Sequence, residues 1–82
     1  MSQSEIFDKV VAILKKYAKN DEALSEVQAS TNILEDLRVN SARLVDVILD
    51  FEDAFDIEIA DEDADGVTTV GDALQLIEAR IG

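Results

Sequence analysis

The chain has 82 residues, 48% apolar and 32% charged, enough for one small domain with a thin core and no room for a deep internal active site. Nineteen Asp and Glu against seven Lys and Arg leave a net charge of −12, which repels nucleic-acid phosphates and attracts basic protein surfaces. With no histidine and no cysteine, the sequence excludes Ser-His-Asp and Cys-His catalysis, disulfides and thiolate metal sites. The acidity is lopsided: residues 1–43 hold seven acids and six bases, whereas residues 44–82 hold twelve acids and one base, Arg80. No apolar run approaches the roughly 18 residues of a membrane span and no charged-then-apolar leader opens the chain, so a cytoplasmic monomer is expected.

Ile6, Phe7, Val10, Val11, Leu14 and Tyr17 recur at helical spacing and predict an amphipathic helix from Ser4 to Lys19. Ser2 or Ser4 can cap it, and Lys15, Lys16 and Lys19 suit its negative end. The stretch "NDEALSEVQASTNILEDLRVN" spaces Leu24, Val27, Ile33, Leu34 and Leu37 irregularly, which predicts a long loop packed back on the core. A second helix is expected from Ser41 to Phe55, with Leu44, Val45, Val47, Ile48, Phe51, Ala54 and Phe55 as a broad apolar face. Next, "DIEIADEDADGVTT" reads as a loop whose Ile57 and Ile59 plug the core, because a lone strand has nothing to pair with. One helical turn near Asp61 to Asp65 follows. Thr69 and Asp72 form a capping box for a last helix with Val70, Ala73, Leu74, Ile77 and Ile81 as its buried stripe. The fold class is therefore all-α: a small four-helix bundle, three main helices and one short, in a single domain spanning 1–82.

Two stretches could hold chemistry. In "DEDADGVTTVGD", Asp61, Asp63, Asp65, Gly66 and Asp72 fall at the first, third, fifth, sixth and twelfth positions of a calcium-loop pattern. Against it stand an Asp rather than Glu at the twelfth position and Thr68 where paired loops need an aliphatic residue. No second loop is present, and "DIEIA" interrupts the helix that should lead in. An acidic solvated turn before a capped helix is the simpler reading, and no metal site is assigned. The other stretch is "LEDLRVNSARLVDVI", where Asn40 is a strong helix cap and leaves Ser41 at the first helical position. With no histidine in the chain to serve as general base, Ser41 cannot be an activated nucleophile, but its hydroxyl can accept a modification. A phosphate ester there sits at the positive end of a helix. An ordinary first-turn serine fits the same residues.

From Ile33 to Ile77 the chain resembles the acyl carrier proteins without a gap. The echoes are "EDL" five residues ahead of the serine, then "FEDAFDIEI" and "ADEDADGVTTVGDAL"; that family carries "DSL" at its modified serine, followed by a helix ending in "E-E-F-x-x-E-I-P" and a later "T-T-V". The resemblance implies a non-enzymatic carrier. Its serine, matching Ser41, receives 4'-phosphopantetheine from coenzyme A by a phosphopantetheinyl transferase and carries acyl groups as thioesters. It implies partner enzymes (acyl-loading, synthase or acyltransferase) whose basic patches read an acidic second helix, here Asp46, Asp50, Glu52 and Asp53, with Arg43 at its rim. It also implies an acyl shelter, matched by position to Phe51, Ile59, Ala64, Val67 and Leu76. Fatty-acid, polyketide and related acyl pathways all use such carriers. The alternatives are a carrier-like binding module that is never modified, and a single calcium-binding loop at Asp61–Asp72.

The departures cluster at the serine. The family's "G-x-D-S-L-D" is here Arg38-Val39-Asn40-Ser41-Ala42-Arg43, and Ala60 replaces the loop proline. An arginine for a glycine, an amide for an acid and an arginine for an acid all move the local charge upward. The resemblance thus implies a specialised carrier with dedicated partners.

Overall fold

In the computed structural model, which describes residues 2–81, Ser2 opens the first helix, α1 (Gln3–Lys15). The ends of the expected 1–82 domain, Met1 and Gly82, lie outside the described residues. Ser2 Oγ accepts the Glu5 amide at 3.2 Å and donates to the Glu5 carboxylate, also at 3.2 Å, so Ser2 rather than Ser4 is the cap. The helix ends four residues before the expected Lys19. The Tyr17 and Ala18 amides turn back to the Leu14 carbonyl, and those of Lys19 and Asn20 both go to the Leu37 carbonyl. That partner comes from the far end of the next connection, and helical periodicity carries no sign of it.

The long connection is more ordered than its sequence suggests. Asn20 Oδ1 caps a short helix, α2 (Asp21–Leu24), through the Ala23 amide, while its Nδ2 donates to the Asp36 carbonyl at 2.9 Å. Further on, Asn32 and Asp36 close a turn: Asn32 Oδ1 accepts the Glu35 amide and Asp36 Oδ2 accepts the Asn32 amide, both at 2.8 Å. Ile33, Leu37 and Val39 are buried and bind this segment to the core. Its backbone also docks on the start of the last helix. The Ile33 amide donates to Thr68, Val70 to Thr31 and Gly71 to Ala29, around an isolated antiparallel bridge of Asn32 with Thr69. Gly71 has a specific reason to be glycine, since a Cβ there would stand 2.8 Å from the Ala29 carbonyl oxygen.

A 3₁₀ turn (Ser41–Arg43) leads into α3 (Leu44–Phe55). Val47, Ile48, Phe51 and Phe55 are buried, as their i, i+3/i+4 spacing requires. Val45 and Ala54 of the expected face are exposed, as is Leu49 outside it, so the buried stripe is narrower than the expected face. Asp56 ends the helix in the left-handed region (φ 54°), and the Asp56 and Ile57 amides both donate to the Glu52 carbonyl. The next segment is a loop: Ile59 is buried, Ile57 half-buried, and the Ile59 amide is held by the Glu52 carboxylate at 2.9 Å.

The short helix α4 (Asp61–Asp65) and the last helix, α5 (Val70–Ile81), complete the bundle. The Thr69–Asp72 capping box forms as expected, with Asp72 Oδ2 accepting the Thr68 and Thr69 amides and Thr69 Oγ1 accepting the Asp72 amide, each at 3.1 Å. Those donated N–H groups, Thr69 first, hold the Asp72 carboxyl below the usual aspartate range. Arg80 near the end of α5 pairs with Asp63 of α4. One cluster of buried side chains runs from Ile6 through Leu37 and Phe51 to Ile77, so the loop and the three long helices share a single core. No helix among the described residues is long and apolar enough to cross a membrane.

Candidate functional site

The segment before Ser41 is set from both sides. Val39 is 3% exposed and wedges the chain into the core, while Arg38 beside it turns left-handed, with φ 57°. Asn40 is extended and takes the capping duty, its Oδ1 accepting the Ala42 amide at 2.9 Å and its carbonyl accepting the Arg43 amide at 2.8 Å. Ser41 is therefore the first residue of the 3₁₀ turn, exposed and with the cap already supplied.

On one flank Ser41 borders an apolar cleft of about 570 Å³, within the usual range of small-ligand sites. Leu44, Ile48, Ile59 and Ala64 form its walls, and Val45 and Leu49 stand at its edge, 67% and 55% exposed. Of the expected acyl-shelter residues, Ile59 and Ala64 line this cleft. Phe51 and Val67 lie in the closed core, and Leu76 is half-buried against that core, outside the lining. The α3 residues Leu44, Val45, Ile48 and Leu49 were not singled out from sequence as a lining. For Leu44, Val45 and Ile48 the signal is an apolar face wider than one packed helix side needs; Leu49 lies outside that expected face.

The other flank is charged. Arg43 Nη1 is 3.2 Å from Asp46, and Asp50 accepts the Tyr17 hydroxyl at 2.7 Å with Lys16 at 3.9 Å. The hydrogen bond to Asp50, then burial and the charges of Asp50 and Asp46, raise the Tyr17 pKa, against the opposing charge of Arg43. Hence the four acids of the expected partner surface differ. Asp46 and Asp50 are half-exposed and paired, Glu52 is half-buried and tied to Ile59, and Asp53 is exposed. Asp61 and Asp65, considered in sequence only as calcium ligands, border the apolar cleft instead.

The calcium-loop spacing is not realised. Asp61, Asp63 and Asp65 lie along α4, Asp63 is paired with Arg80 and Asp72 is committed to its amides. Among the described residues no three acidic side chains converge as a cation site.

The model of the family described as "Phosphopantetheine attachment site" matches residues 8–77. The chain belongs to the acyl carrier protein family. It is 43% identical over 82 residues to an acyl carrier protein of Prochlorococcus marinus, with 100% of both chains covered. To that of Thermotoga maritima it is 37% identical over 81 residues, covering 99% of this chain and 98% of the relative. Its fold is similar to a solved acyl carrier protein from Enterococcus faecalis, with a TM-score of 0.80, 32% identity, and 98% and 99% of the two chains covered. Like them it is a carrier, not an enzyme, and the prosthetic group of the family is 4'-phosphopantetheine. A carrier's work brings it to synthase and transferase enzymes.

Proposed function

We propose that Ser41 is the attachment residue and that residues 1–82 act as one carrier domain for acyl groups in a fatty-acid, polyketide or related specialised pathway. The observation that supports this is the exposed Ser41 hydroxyl at the start of a helical turn already capped by Asn40, on the edge of an apolar cleft. These residues fit the prosthetic group: Ser41 accepts it through the hydroxyl, and Leu44, Ile48, Ile59 and Ala64 offer an apolar wall beside it. When bound, the group supplies a thiol that holds acyl chains as thioesters. Phe51, Val67 and Leu76 shape that wall through the core.

The partner face is the exposed part of α3 with its flanks. Asp46, Asp50 and Asp53 meet basic groups of the loading, synthase and transferase enzymes, Glu52 holds the loop that frames the cleft, and Val45 and Leu49 give the contact an apolar centre. Arg43 asks for an acidic group on the same partner, which narrows the choice to dedicated enzymes. A cytoplasmic monomer suits this role. Incubation with coenzyme A and a broad-specificity phosphopantetheinyl transferase tests it. The parent is expected to gain the mass of one phosphopantetheine and Ser41→Ala none. A parent unchanged by several transferases means an unmodified binding module.

A further inference from the structure

We infer that the cleft between the end of α1 and the Ser41 turn is a phosphate subsite that holds the phosphodiester of the arm joined to Ser41, an inference that rests on attachment at that residue. Lys16, Tyr17, Lys19, Asn40 and Arg43 line this space of about 440 Å³. In sequence they are far apart. The early end of α1 and the bonds from Lys19 and Asn20 to the Leu37 carbonyl bring them together beside the attachment residue.

Not every charge there is available. Arg43 gives Nη1 to Asp46, Lys16 stands 3.9 Å from Asp50, and the Tyr17 proton is committed to Asp50. Three donors remain. Lys19 has no carboxylate within ion-pair distance among the described residues, Arg43 keeps the rest of its guanidinium, and Asn40, whose oxygen caps Ala42, keeps its Nδ2 hydrogens. Among the described side chains, three cations against the two carboxylates Asp46 and Asp50 leave the cleft positive in a protein of net charge −12. The apolar cleft on the other flank is bordered by Glu52, Asp61 and Asp65, which repel a phosphate. So surface electrostatics send the anion one way.

A free phosphate gains little from so exposed a cluster. A tethered one is presented at a local concentration on the order of millimolar, so even loose pairing is populated. Asn40 and Arg43, two of the departures from the family pattern, line this cleft, and each removes negative charge from it.

The test loads the parent, K19Q/R43Q and K9Q with the arm, verifies loading by mass, and compares phosphorus-31 NMR. Lys9 serves as control because it lies over the Phe55 ring instead. The parent resonance is expected to be broadened and displaced from that of the same loaded protein unfolded in denaturant, which carries the same phosphodiester without the cleft, and to return toward it as salt rises to about 1 M, where charges are screened beyond roughly 3 Å. K9Q should behave as the parent does, and K19Q/R43Q should lie near the unfolded reference at every salt concentration. The salt series on the parent alone decides the matter where the double variant fails to fold or load. A loaded parent whose resonance ignores both salt and K19Q/R43Q overturns the subsite while leaving the attachment intact. A parent that takes no arm overturns the attachment and the subsite with it.

Discussion

Arg38 sits in the left-handed region, with φ 57°, at a position where the family pattern has glycine. A side chain there is strained by about 1–2 kcal/mol, and glycine's extra unfolded-state freedom returns about 0.5–1 of that. Arg38→Gly should therefore raise stability by about 0.5–1 kcal/mol in denaturant unfolding; a loss of stability would show the arginine has contacts of its own. Asp72 yields a pH signature. Its folded pKa lies below the ordinary 3.8, so the stability it adds is present above 3.8 and disappears as pH falls through the lower folded value. The melting-temperature gap between the parent and Asp72→Asn is expected to be full near neutrality and to close in acid below 3.8. A gap that persisted unchanged into acid would mean the carboxylate charge is not what the amides hold. Both residues show what sequence reveals locally. The Thr69–Asp72 box and the Asn40 cap are legible because their partners lie within three residues, whereas the left-handed turn at Arg38 is masked by a residue that disfavours it.

At the scale of elements, the first connection behaves as part of the core. Leu37 is fully buried and its carbonyl receives the Lys19 and Asn20 amides. Leu37→Ala should cost about 2–5 kcal/mol, as for a leucine inside a helix core. A loss below about 1 kcal/mol, within the range of ordinary surface changes, would make this segment a loose cover. The C-terminal end of α1 and the existence of α2 were not legible, because both depend on partners some sixteen to eighteen residues away. Periodicity also could not divide the apolar residues of α3. It counts them but does not say which side has a neighbour, and the surplus residues Val45 and Leu49 are those beside the cleft at Ser41. The acyl-shelter positions taken from resemblance mixed core with lining for the same reason: burial and accessibility to a ligand look alike in a string of apolar letters.

The whole molecule divides its charge by position, with Arg80 as the only base after residue 43. In a protein of net charge −12 self-repulsion opposes the compact state, so salt should stabilise it. Raising ionic strength from about 0.01 to 0.15 M, which shortens the screening length from roughly 30 to 8 Å, is expected to raise the melting temperature; a fall would mean that Arg43–Asp46, Lys16–Asp50 and Arg80–Asp63 outweigh the repulsion. The bundle class and the Asn40 cap that leaves Ser41 first in its turn were readable from sequence; the gathering of Lys16 and Lys19 beside Arg43 was not, since only the folded chain makes them neighbours. The most direct measurement is a fragment map of the protein after transfer from coenzyme A. The phosphopantetheine should be found on the peptide containing Ser41, and its recovery on Ser2, Ser4, Ser25 or Ser30 would contradict the assignment.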